Sequence, residues 1–230
     1  MIFEETLSRP LKRAIDEMGY TEATPIQQAA IPIIRRGSDL IGQAQTGTGK
    51  TAAFSIPALE KIDPLLPKPQ AIILSPTREL AVQIANEVEK LSRYLSIRSM
   101  AIFGGQSIEL QIRALRQGVQ VIAGTPGRIK DHLNRGTLEA EHIRYVVLDE
   151  ADEMLKMGFV QDVERIIESA DPNRQLVMFS ATTNQDVLTV SWKYQREPIE
   201  IVVQAQAENK PNITQYIVES DSKQKYEHLL

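Results

Sequence analysis

The sequence predicts an α/β domain whose mostly parallel, twisted sheet is covered by helices on both faces. Three observations lead to this fold class. Short apolar runs alternate with longer stretches of helical periodicity along nearly the whole chain. Several runs, such as residues 145–148, are apolar at every position, as in strands buried on both faces. Helix follows strand throughout, so right-handed crossovers would place the strand-end loops along one edge of the sheet, where such sheets bind ligands.

The first two elements are predicted to be helices. Residues 7–18 carry an apolar stripe at helical spacing, and Gly19 is placed to end the helix. Thr24 followed by Pro25 is typical of an N-cap with proline at the first helical position, so a second helix is expected to run to about residue 34.

Strands and helices then alternate. The predicted strands are 39–42, 71–74, 98–103, 120–123, 145–148, 176–179 and 199–203. The predicted helices are 49–61, 78–95, 107–117, 127–134, 160–170 and 184–193.

Domain boundaries follow from composition. Residues 1–204 are expected to form one domain, 205–211 a polar linker, and 212–230 the start of a second, truncated unit. With 42% hydrophobic and 24% charged residues, the chain has the composition of an ordinary folded domain.

Composition also argues against several classes of protein. The sequence has no cysteine, so it cannot form disulfides or thiolate metal sites, and its three histidines are not at metal-ligand spacing. We expect no signal peptide and no membrane span, and a cytoplasmic location. The net charge of −4 is not compatible with a broad basic surface, so any contact with nucleic acid must be confined to a few local groups.

Residues 44–51, Ala-Gln-Thr-Gly-Thr-Gly-Lys-Thr, have the spacing of a phosphate-binding P-loop, although alanine stands where the general pattern has glycine. The glycines allow backbone amides to approach phosphate, Lys50 can reach the β and γ phosphates, and the Thr51 hydroxyl can face Mg²⁺. The expected contacts of this loop with ATP come from Thr46, Gly47, Thr48, Gly49, Lys50 and Thr51. The alternative is a glycine-rich turn that merely begins a helix.

Asp149 and Glu150 directly follow the apolar strand 145–148. Asp149 is positioned to hold Mg²⁺, largely through water, and Glu150 to orient or deprotonate the attacking water, so Lys50, Asp149 and Glu150 form the predicted catalytic set. The alternative is a group of acids that stabilises the positive end of a helix dipole.

Together with other segments, these motifs resemble those of the DEAD-box RNA helicases over nearly the whole chain. The resemblance implies a RecA-like P-loop domain that binds ATP and RNA with a second RecA-like domain as its partner. The matching segments are Phe3, Gly19-Tyr20, Thr24 and Gln27 for the Q motif, 44–51 for motif I, 76–81 for motif Ia, Gly104-Gly105, 125–128 for motif Ib, 149–152 for the acids, and 180–182 for motif III. Ala23 and Tyr20 depart from the family's usual proline and phenylalanine.

For the base, the resemblance implies an adenine site at Tyr20, Thr24 and Gln27. The amide of Gln27 can donate to adenine N7 and accept from the N6 amino group, a bidentate pattern that guanine does not match. A glutamine exposed on a helix is the simpler reading of Gln27 alone.

The resemblance also implies a path for single-stranded RNA with little base specificity. Backbone amides, hydroxyls and arginines at strand-to-helix junctions can hold a sugar-phosphate backbone, although capping of helices would equally explain the threonines. The predicted RNA-binding residues are Pro76, Thr77, Arg78, Gly105, Thr125, Pro126, Gly127 and Arg128. Asp152, Ser180 and Thr182 are expected to couple the nucleotide state to RNA binding.

Two other functions remain open from the sequence. One is a non-catalytic platform for RNA or a partner protein, against which the intact Lys50 and Glu150 argue. The other is a P-loop kinase of a small molecule, which would leave residues 125–128 and 180–182 without a purpose. We expect ATP and Mg²⁺ as cofactors and a monomer for a chain of this extent.

Overall fold

Seven short strands form one sheet in the computed structural model, which describes residues 7–203. The strands are β1 (Leu40–Gln43), β2 (Ala71–Leu74), β3 (Ser99–Ile102), β4 (Val121–Gly124), β5 (Tyr145–Leu148), β6 (Gln175–Ser180) and β7 (Ile199–Val202). Their order across the sheet is β3-β4-β2-β5-β6-β1-β7, and all of these pairings are parallel. The predicted parallel α/β sheet is thereby confirmed.

Helices connect the strands and cover both faces of the sheet. They are α1 (Arg9–Glu17), α2 (Pro25–Arg35), α3 (Lys50–Lys61), α4 (Arg78–Leu91), α5 (Ile108–Arg116), α6 (Pro126–Asn134), α7 (Ala151–Lys156), α8 (Val160–Ser169) and α9 (Gln185–Tyr194).

The core is divided into two apolar clusters by the alternation of side chains along the strands. In β5, Tyr145 and Val147 belong to the cluster that contains α2, α3 and α4 residues, whereas Val146 and Leu148 belong to the cluster with α6, α7 and α8. Burying one such aliphatic side chain contributes roughly 1.5–3 kcal/mol. A strand that faces a helix layer on each side must therefore be apolar at every position, which explains its continuous apolar sequence.

Helix ends differ from the predictions where capping residues intervene. The first helix begins at Arg9 rather than residue 7, with Ser8 as N-cap and proline in its first turn. The predicted helix 78–95 ends at Leu91, because Ser92 is its C-cap and the Ser92 hydroxyl donates to the Ile97 carbonyl at 3.4 Å. The predicted linker 205–211 and the predicted start of a second unit at 212–230 lie outside the described residues.

Because the strands are parallel, the loops that follow them all lie at one edge, which we call the carboxyl edge. The loops after β3, β4 and β2 carry the predicted RNA-binding residues, and these three strands form one half of the sheet. The P-loop after β1, the acids after β5 and residues 180–182 at the end of β6 lie on the other half. Strand order thus separates two groups of functional residues that alternate in the sequence.

Candidate functional site

The P-loop connects the end of β1 to the first turn of α3. Gly47 and Gly49 have φ angles of +81° and +90°, which favour glycine because a Cβ is strained there. Gly49 is the N-cap of α3, and Thr48 closes the turn by donating its hydroxyl to the Gln45 carbonyl at 2.8 Å. The loop therefore directs the positive end of the α3 dipole toward the carboxyl edge, where an anion would be stabilised.

Gln27 joins the start of α2 to the P-loop. Only 4% of the residue is exposed, so the simpler reading of an exposed glutamine is wrong. Its Oε1 accepts from the Thr24 amide at 2.9 Å, and its Nε2 donates to the Gly49 carbonyl at 3.1 Å. A glutamine amide has two hydrogens and two acceptor lone pairs. One donor and one acceptor function therefore remain available for a base edge.

Lys50 and Asp149 form a buried ion pair beneath the P-loop. The Lys50 ammonium lies 3.5 Å from Asp149 Oδ1, and the two residues are 6% and 5% exposed. Burial raises the pKa of the Asp149 carboxyl, although the lysine opposes this rise. The pair places the predicted phosphate-binding cation and the predicted metal-binding carboxylate next to each other.

Glu150 has an unusual backbone conformation between β5 and α7. Its φ of +54° lies in the left-handed region, where a non-glycine residue costs roughly 1–3 kcal/mol. Its amide donates to Asp149 Oδ1 at 3.1 Å, and its Oε1 accepts from the Thr46 hydroxyl at 3.1 Å. This strained turn brings the carboxylate of Glu150 to the P-loop, 104 residues away in the sequence.

Helix α4 supplies pocket residues that the sequence analysis missed, of which Glu87 is the most notable. Tyr20 donates its hydroxyl to Glu87 at 3.2 Å. Burial raises the pKa of the Glu87 carboxyl, whereas hydrogen bonding by Tyr20 and Thr51 opposes the rise. The carboxylate thus lies between the predicted adenine side and the predicted metal side. The helical spacing of Leu80, Ile84 and Glu87 could have indicated one face of α4 turned toward the P-loop.

These groups surround a cavity of about 210 Å³. Its lining residues are Tyr20, Thr46, Gly47, Gly49, Lys50, Thr51, Leu80, Gln83, Ile84, Glu87, Asp149 and Glu150. Tyr20 also borders a neighbouring cavity of about 450 Å³ between α1 and α4. A cavity of about 340 Å³ at residues 67–69 is larger than the P-loop cavity but contains none of the predicted site residues. We therefore assign the candidate site by its chemistry rather than by cavity size.

Asp152, Ser180 and Thr182 are brought together at the ends of β5 and β6. Asp152 Oδ2 accepts from the Thr182 amide at 3.0 Å and from the Thr182 hydroxyl at 2.8 Å, while Ser180 donates its hydroxyl to the Thr182 carbonyl at 2.6 Å. Burial raises the pKa of Asp152, but the hydrogen bonds from the Thr182 hydroxyl and amide oppose the rise, and the pKa lies below its ordinary value. The carboxylate is therefore held in its charged form.

Two of the predicted RNA-binding segments meet beside β3. Thr77 is the N-cap of α4 and accepts from the Leu80 amide at 3.3 Å, so its hydroxyl has the ordinary capping contact. Arg78 is exposed, and its guanidinium lies 5.5 Å from the centre of the Phe103 ring. A Cβ placed on Gly105 would lie 3.0 Å from Arg78 Nη1. Pro76 is buried, and its contribution would be limited to shaping the turn.

The third predicted RNA-binding segment begins α6, with Thr125 as N-cap and Pro126 in the first turn. Gly127 is half-buried in that turn. Arg128 donates from Nη1 to the Gln106 carbonyl at 2.9 Å and to Gln111 Oε1 at 3.1 Å. Gln111 was not predicted from the sequence, because a single glutamine on a helix has no distinguishing spacing.

The oxygen donors present fit a magnesium ion. No group of three or more histidine, cysteine, aspartate or glutamate residues that could hold a metal occurs within residues 7–203. Mg²⁺ is commonly bound through one or two carboxylates and substrate phosphates rather than by a complete protein cage. Asp149 and Thr51, which line the same cavity as Lys50, supply a carboxylate and a hydroxyl of the required kind.

A lysine-bearing glycine loop after one parallel strand, with acids after a nearby strand, defines the class of P-loop domains. The family model of the DEAD/DEAH box helicases matches residues 24–190. The chain belongs to this family, which confirms the resemblance.

Relatives of the chain are named as helicases. It is 48% identical over 223 residues to the DEAD-box ATP-dependent RNA helicase CshA of Geobacillus kaustophilus, covering 97% of this chain and 48% of the relative. It is 45% identical over 210 residues to the ATP-dependent RNA helicase DeaD of Escherichia coli, covering 91% of this chain and 33% of the relative. The chain thus spans about half or less of the length of these curated relatives.

Solved structures show the same fold. The crystal structure of a DEAD box protein from the hyperthermophile Methanococcus jannaschii matches with a TM-score of 0.85 and 40% identity, covering 98% of this chain and 61% of the other. An ATP-dependent RNA helicase from Sulfolobus tokodaii, described as hypothetical, matches with a TM-score of 0.79 and 32% identity, covering 86% of this chain and 57% of the other.

Within the described residues, no helix has the length and apolar character needed to cross a bilayer.

Proposed function

We propose that this chain is the ATP-binding and RNA-contacting domain of an ATP-dependent RNA helicase. In the whole enzyme, ATP and RNA would bind together, a second RecA-like domain would close over both, and hydrolysis to ADP and phosphate would release the RNA. The result would be local unwinding of RNA duplexes or remodelling of RNA–protein complexes.

The observation that carries the proposal is that Lys50, Asp149 and Glu150 line one cavity whose glycine loop is contacted from outside by Gln27. Gln27 contacts the P-loop, Lys50 pairs with Asp149, and Glu150 is held beside Thr46. This supports a phosphate-binding role for Lys50, a metal-binding role for Asp149 and a water-orienting role for Glu150, with Gln27 beside the loop as the residue that would contact the base. A helix-capping role for the acids would not require Lys50 to be buried against Asp149.

ATP selection follows from the remaining hydrogen-bonding capacity of Gln27. Its second Nε2 hydrogen can donate to adenine N7, and its second Oε1 lone pair can accept from the N6 amino group. Guanine would present its O6 acceptor to the Gln27 carbonyl oxygen. One such mismatch costs about 1–3 kcal/mol, so ATP should be preferred over GTP by roughly 5- to 150-fold. Tyr20 offers an aromatic face to the base.

In the hydrolysis step, the residues of the chain position phosphate and water. Lys50 would contact the β and γ phosphates, together with amides of the P-loop, and stabilise the charge on the transferring group. Glu150 would orient the attacking water and receive its proton. A magnesium ion bound through Asp149 and Thr51 would neutralise phosphate charge.

The second domain would supply further RNA contacts and arginines for the transition state. Such arginines contribute ~10³–10⁵ in rate, so we expect this chain alone to bind nucleotide, hydrolyse it slowly and not unwind duplexes. A monomeric state and a cytoplasmic location remain predictions from the sequence.

Calorimetric titration of ATP, ADP and GTP with Mg²⁺ tests the nucleotide site, and phosphate release with and without single-stranded RNA tests the coupling. Adenosine nucleotide binding that responds to RNA is the expected result. RNA binding without nucleotide would indicate a platform, and phosphate transfer to a small molecule without any RNA response would indicate a kinase.

The role of Glu150 can be tested by Glu150→Gln in a chain that also carries the second domain. The substitution keeps the size of the side chain and removes its base, so hydrolysis should fall at least ~10²-fold while nucleotide affinity is retained. Undiminished hydrolysis would contradict the assigned role.

A further inference from the structure

Gln111 occupies an unusual place for a glutamine on an amphipathic helix. It lies in the middle of α5, and only 1% of the residue is exposed. Burial of an amide without partners is costly, so a buried glutamine must satisfy its donors and acceptors within the protein.

All four hydrogen-bonding positions of the Gln111 amide have a partner. Nε2 lies 3.1 Å from the Phe103 carbonyl and 3.0 Å from Gln106 Oε1. Oε1 lies 3.1 Å from Arg128 Nη1 and 3.0 Å from His132 Nε2. Since a carbonyl only accepts and a guanidinium only donates, the Phe103 and Arg128 contacts fix which end of the amide faces which partner.

The same reasoning fixes the state of His132, which is fully buried. Gln111 Oε1 can only accept, so the imidazole must donate from Nε2. Burial lowers the pKa of His132, and the charge of Arg128 lowers it further, so the ring is neutral and its Nδ1 accepts. The Thr137 hydroxyl lies 2.8 Å from that nitrogen. The Gln111 amide thus accepts a hydrogen bond from a His132 ring whose Nε2 carries the proton.

The partners of Gln111 belong to two separate RNA-binding segments. Phe103 and Gln106 flank Gly105 in the loop after β3, and Arg128 lies in the first turn of α6 after β4. Arg128 Nη1 additionally donates to the Gln106 carbonyl at 2.9 Å. The remaining donors of the guanidinium can then face a phosphate. The Arg78 guanidinium lies over the Phe103 ring, so the predicted RNA-binding segment at the start of α4 adjoins the same network.

We propose that Gln111 is a positioning residue for RNA binding, which holds Arg128 and the loop around Gly105 in one arrangement. The inference rests on the proposed RNA-binding function of this surface. Gln111 is inaccessible to RNA and acts through Arg128 and the loop. Without the Gln111 amide, the Arg128 guanidinium would lose one acceptor and the loop around Gly105 would lose one donor. The guanidinium and the loop would then both have to be ordered when RNA binds.

The test compares RNA binding by Gln111→Met, which keeps a helix-forming side chain of similar length but cannot make these bonds. The probe is a fluorescent single-stranded oligouridylate, titrated by anisotropy with the 230-residue chain at low salt. Gln117→Met, an exposed glutamine at the C-cap of the same helix, is the matched control. We expect a roughly 5- to 10-fold loss of RNA affinity for Gln111→Met and no loss for the control.

Two further readouts separate positioning from general destabilisation. If Gln111 acts through Arg128, the double variant with Arg128→Ala should bind RNA no more weakly than Arg128→Ala alone. The slope of log affinity against log salt should also become shallower by up to ~0.7, as for one lost phosphate contact on a single strand. Affinity for a fluorescent ADP analogue should be unchanged, because the nucleotide residues lie on the other half of the sheet edge.

Each outcome decides between the proposals. Normal RNA affinity in folded Gln111→Met, or additive losses with Arg128→Ala, would overturn the positioning role alone. Absence of RNA binding by the unsubstituted chain would overturn the RNA function on which it rests, while nucleotide binding would remain testable separately. If Gln111→Met does not fold, Gln111→Asn keeps the amide one methylene short of its partners and carries the same test. Weaker RNA binding by Gln111→Asn at normal ADP affinity supports the role, and equal RNA binding refutes it.

Discussion

Replacing Gly49 with alanine should destabilise the chain more than the same replacement at Gly47. Both glycines have a φ near +85°, where a non-glycine residue costs roughly 1–2 kcal/mol. Their surroundings differ. A Cβ on Gly47 would meet no atom within 4 Å, whereas a Cβ on Gly49 would lie 2.6 Å from Gln27 Nε2 and 3.1 Å from Thr24 Oγ1. Gly47→Ala is therefore a control for the backbone strain.

The additional cost at Gly49 comes from moving Gln27. Its amide would have to leave the Gly49 carbonyl and the Thr24 amide, and each of these hydrogen bonds contributes about 0.5–1.5 kcal/mol. The free energy of unfolding should thus fall by about 1–3 kcal/mol more in Gly49→Ala than in Gly47→Ala. For a domain of this size, 1 kcal/mol corresponds to roughly 2–4 °C in Tm, so the two variants should differ by about 2–12 °C.

The assay is thermal unfolding of the nucleotide-free chain, followed by circular dichroism. A double-mutant cycle identifies the cause: in a Gln27→Ala background, the Gly49→Ala penalty should shrink to that of Gly47→Ala. Two results would refute the inference that position 49 must be glycine because a Cβ there would displace Gln27. One is equal melting temperatures for the two alanine variants, and the other is a difference between them that is as large in the Gln27→Ala background.

Three further predictions concern buried polar groups. Tyr145→Phe removes the hydroxyl that donates to the Phe54 carbonyl at 3.0 Å, and should lower the free energy of unfolding by about 0.5–1.5 kcal/mol in urea titrations; an unchanged midpoint would count against this bond. Thr182→Val removes a hydroxyl that donates to Asp152, whose lowered pKa in the folded state stabilises the fold at pH values above the ordinary aspartate pKa of about 3.9. The difference in unfolding free energy between Thr182→Val and the unsubstituted chain should therefore narrow as the pH falls through the folded pKa. A difference that does not depend on pH would contradict this prediction. Lys50→Met removes the cation beside Asp149, so the already raised pKa of the Asp149 carboxyl should rise further. As the pH is raised from acid to neutral, the melting temperature of Lys50→Met should then fall more steeply than that of the unsubstituted chain. Parallel pH profiles would disprove the effect of Lys50 on the Asp149 pKa.

The strands of the central sheet were predictable because burial on both faces leaves a simple pattern. Residues 71–74 and 145–148 are bounded by polar residues and match β2 and β5 to the residue. The end of α4 was harder to predict, because Leu95 continues the apolar spacing of Leu91 while the Ser92 cap ends the helix between them. Apolar periodicity alone does not reveal such local competition from a side chain.

In the candidate site, residues within a short motif were predictable and residues that act from a helix face were not. The P-loop has a mechanism tied to its spacing, so Lys50 and Thr51 could be assigned from sequence. Glu87 and Gln111 are single polar residues on amphipathic helices. The Tyr20 partner of Glu87 is 67 positions away, and the partners of Gln111 are 5–21 positions away. Their importance depends on which loops the sheet order brings together, which no local pattern specifies.

The separation of the two groups along the carboxyl edge limits how they can communicate. Neighbouring strands are about 4.8 Å apart, and four intervals separate β4 from β1, so Arg128 and Lys50 emerge from strand ends roughly 19 Å apart. Exposed charges are largely screened beyond about 8 Å at physiological ionic strength. Screening therefore leaves little direct electrostatic effect of an exposed phosphate on Arg128, so a signal between the P-loop and that segment must be carried mainly by movement of the intervening strands and helices.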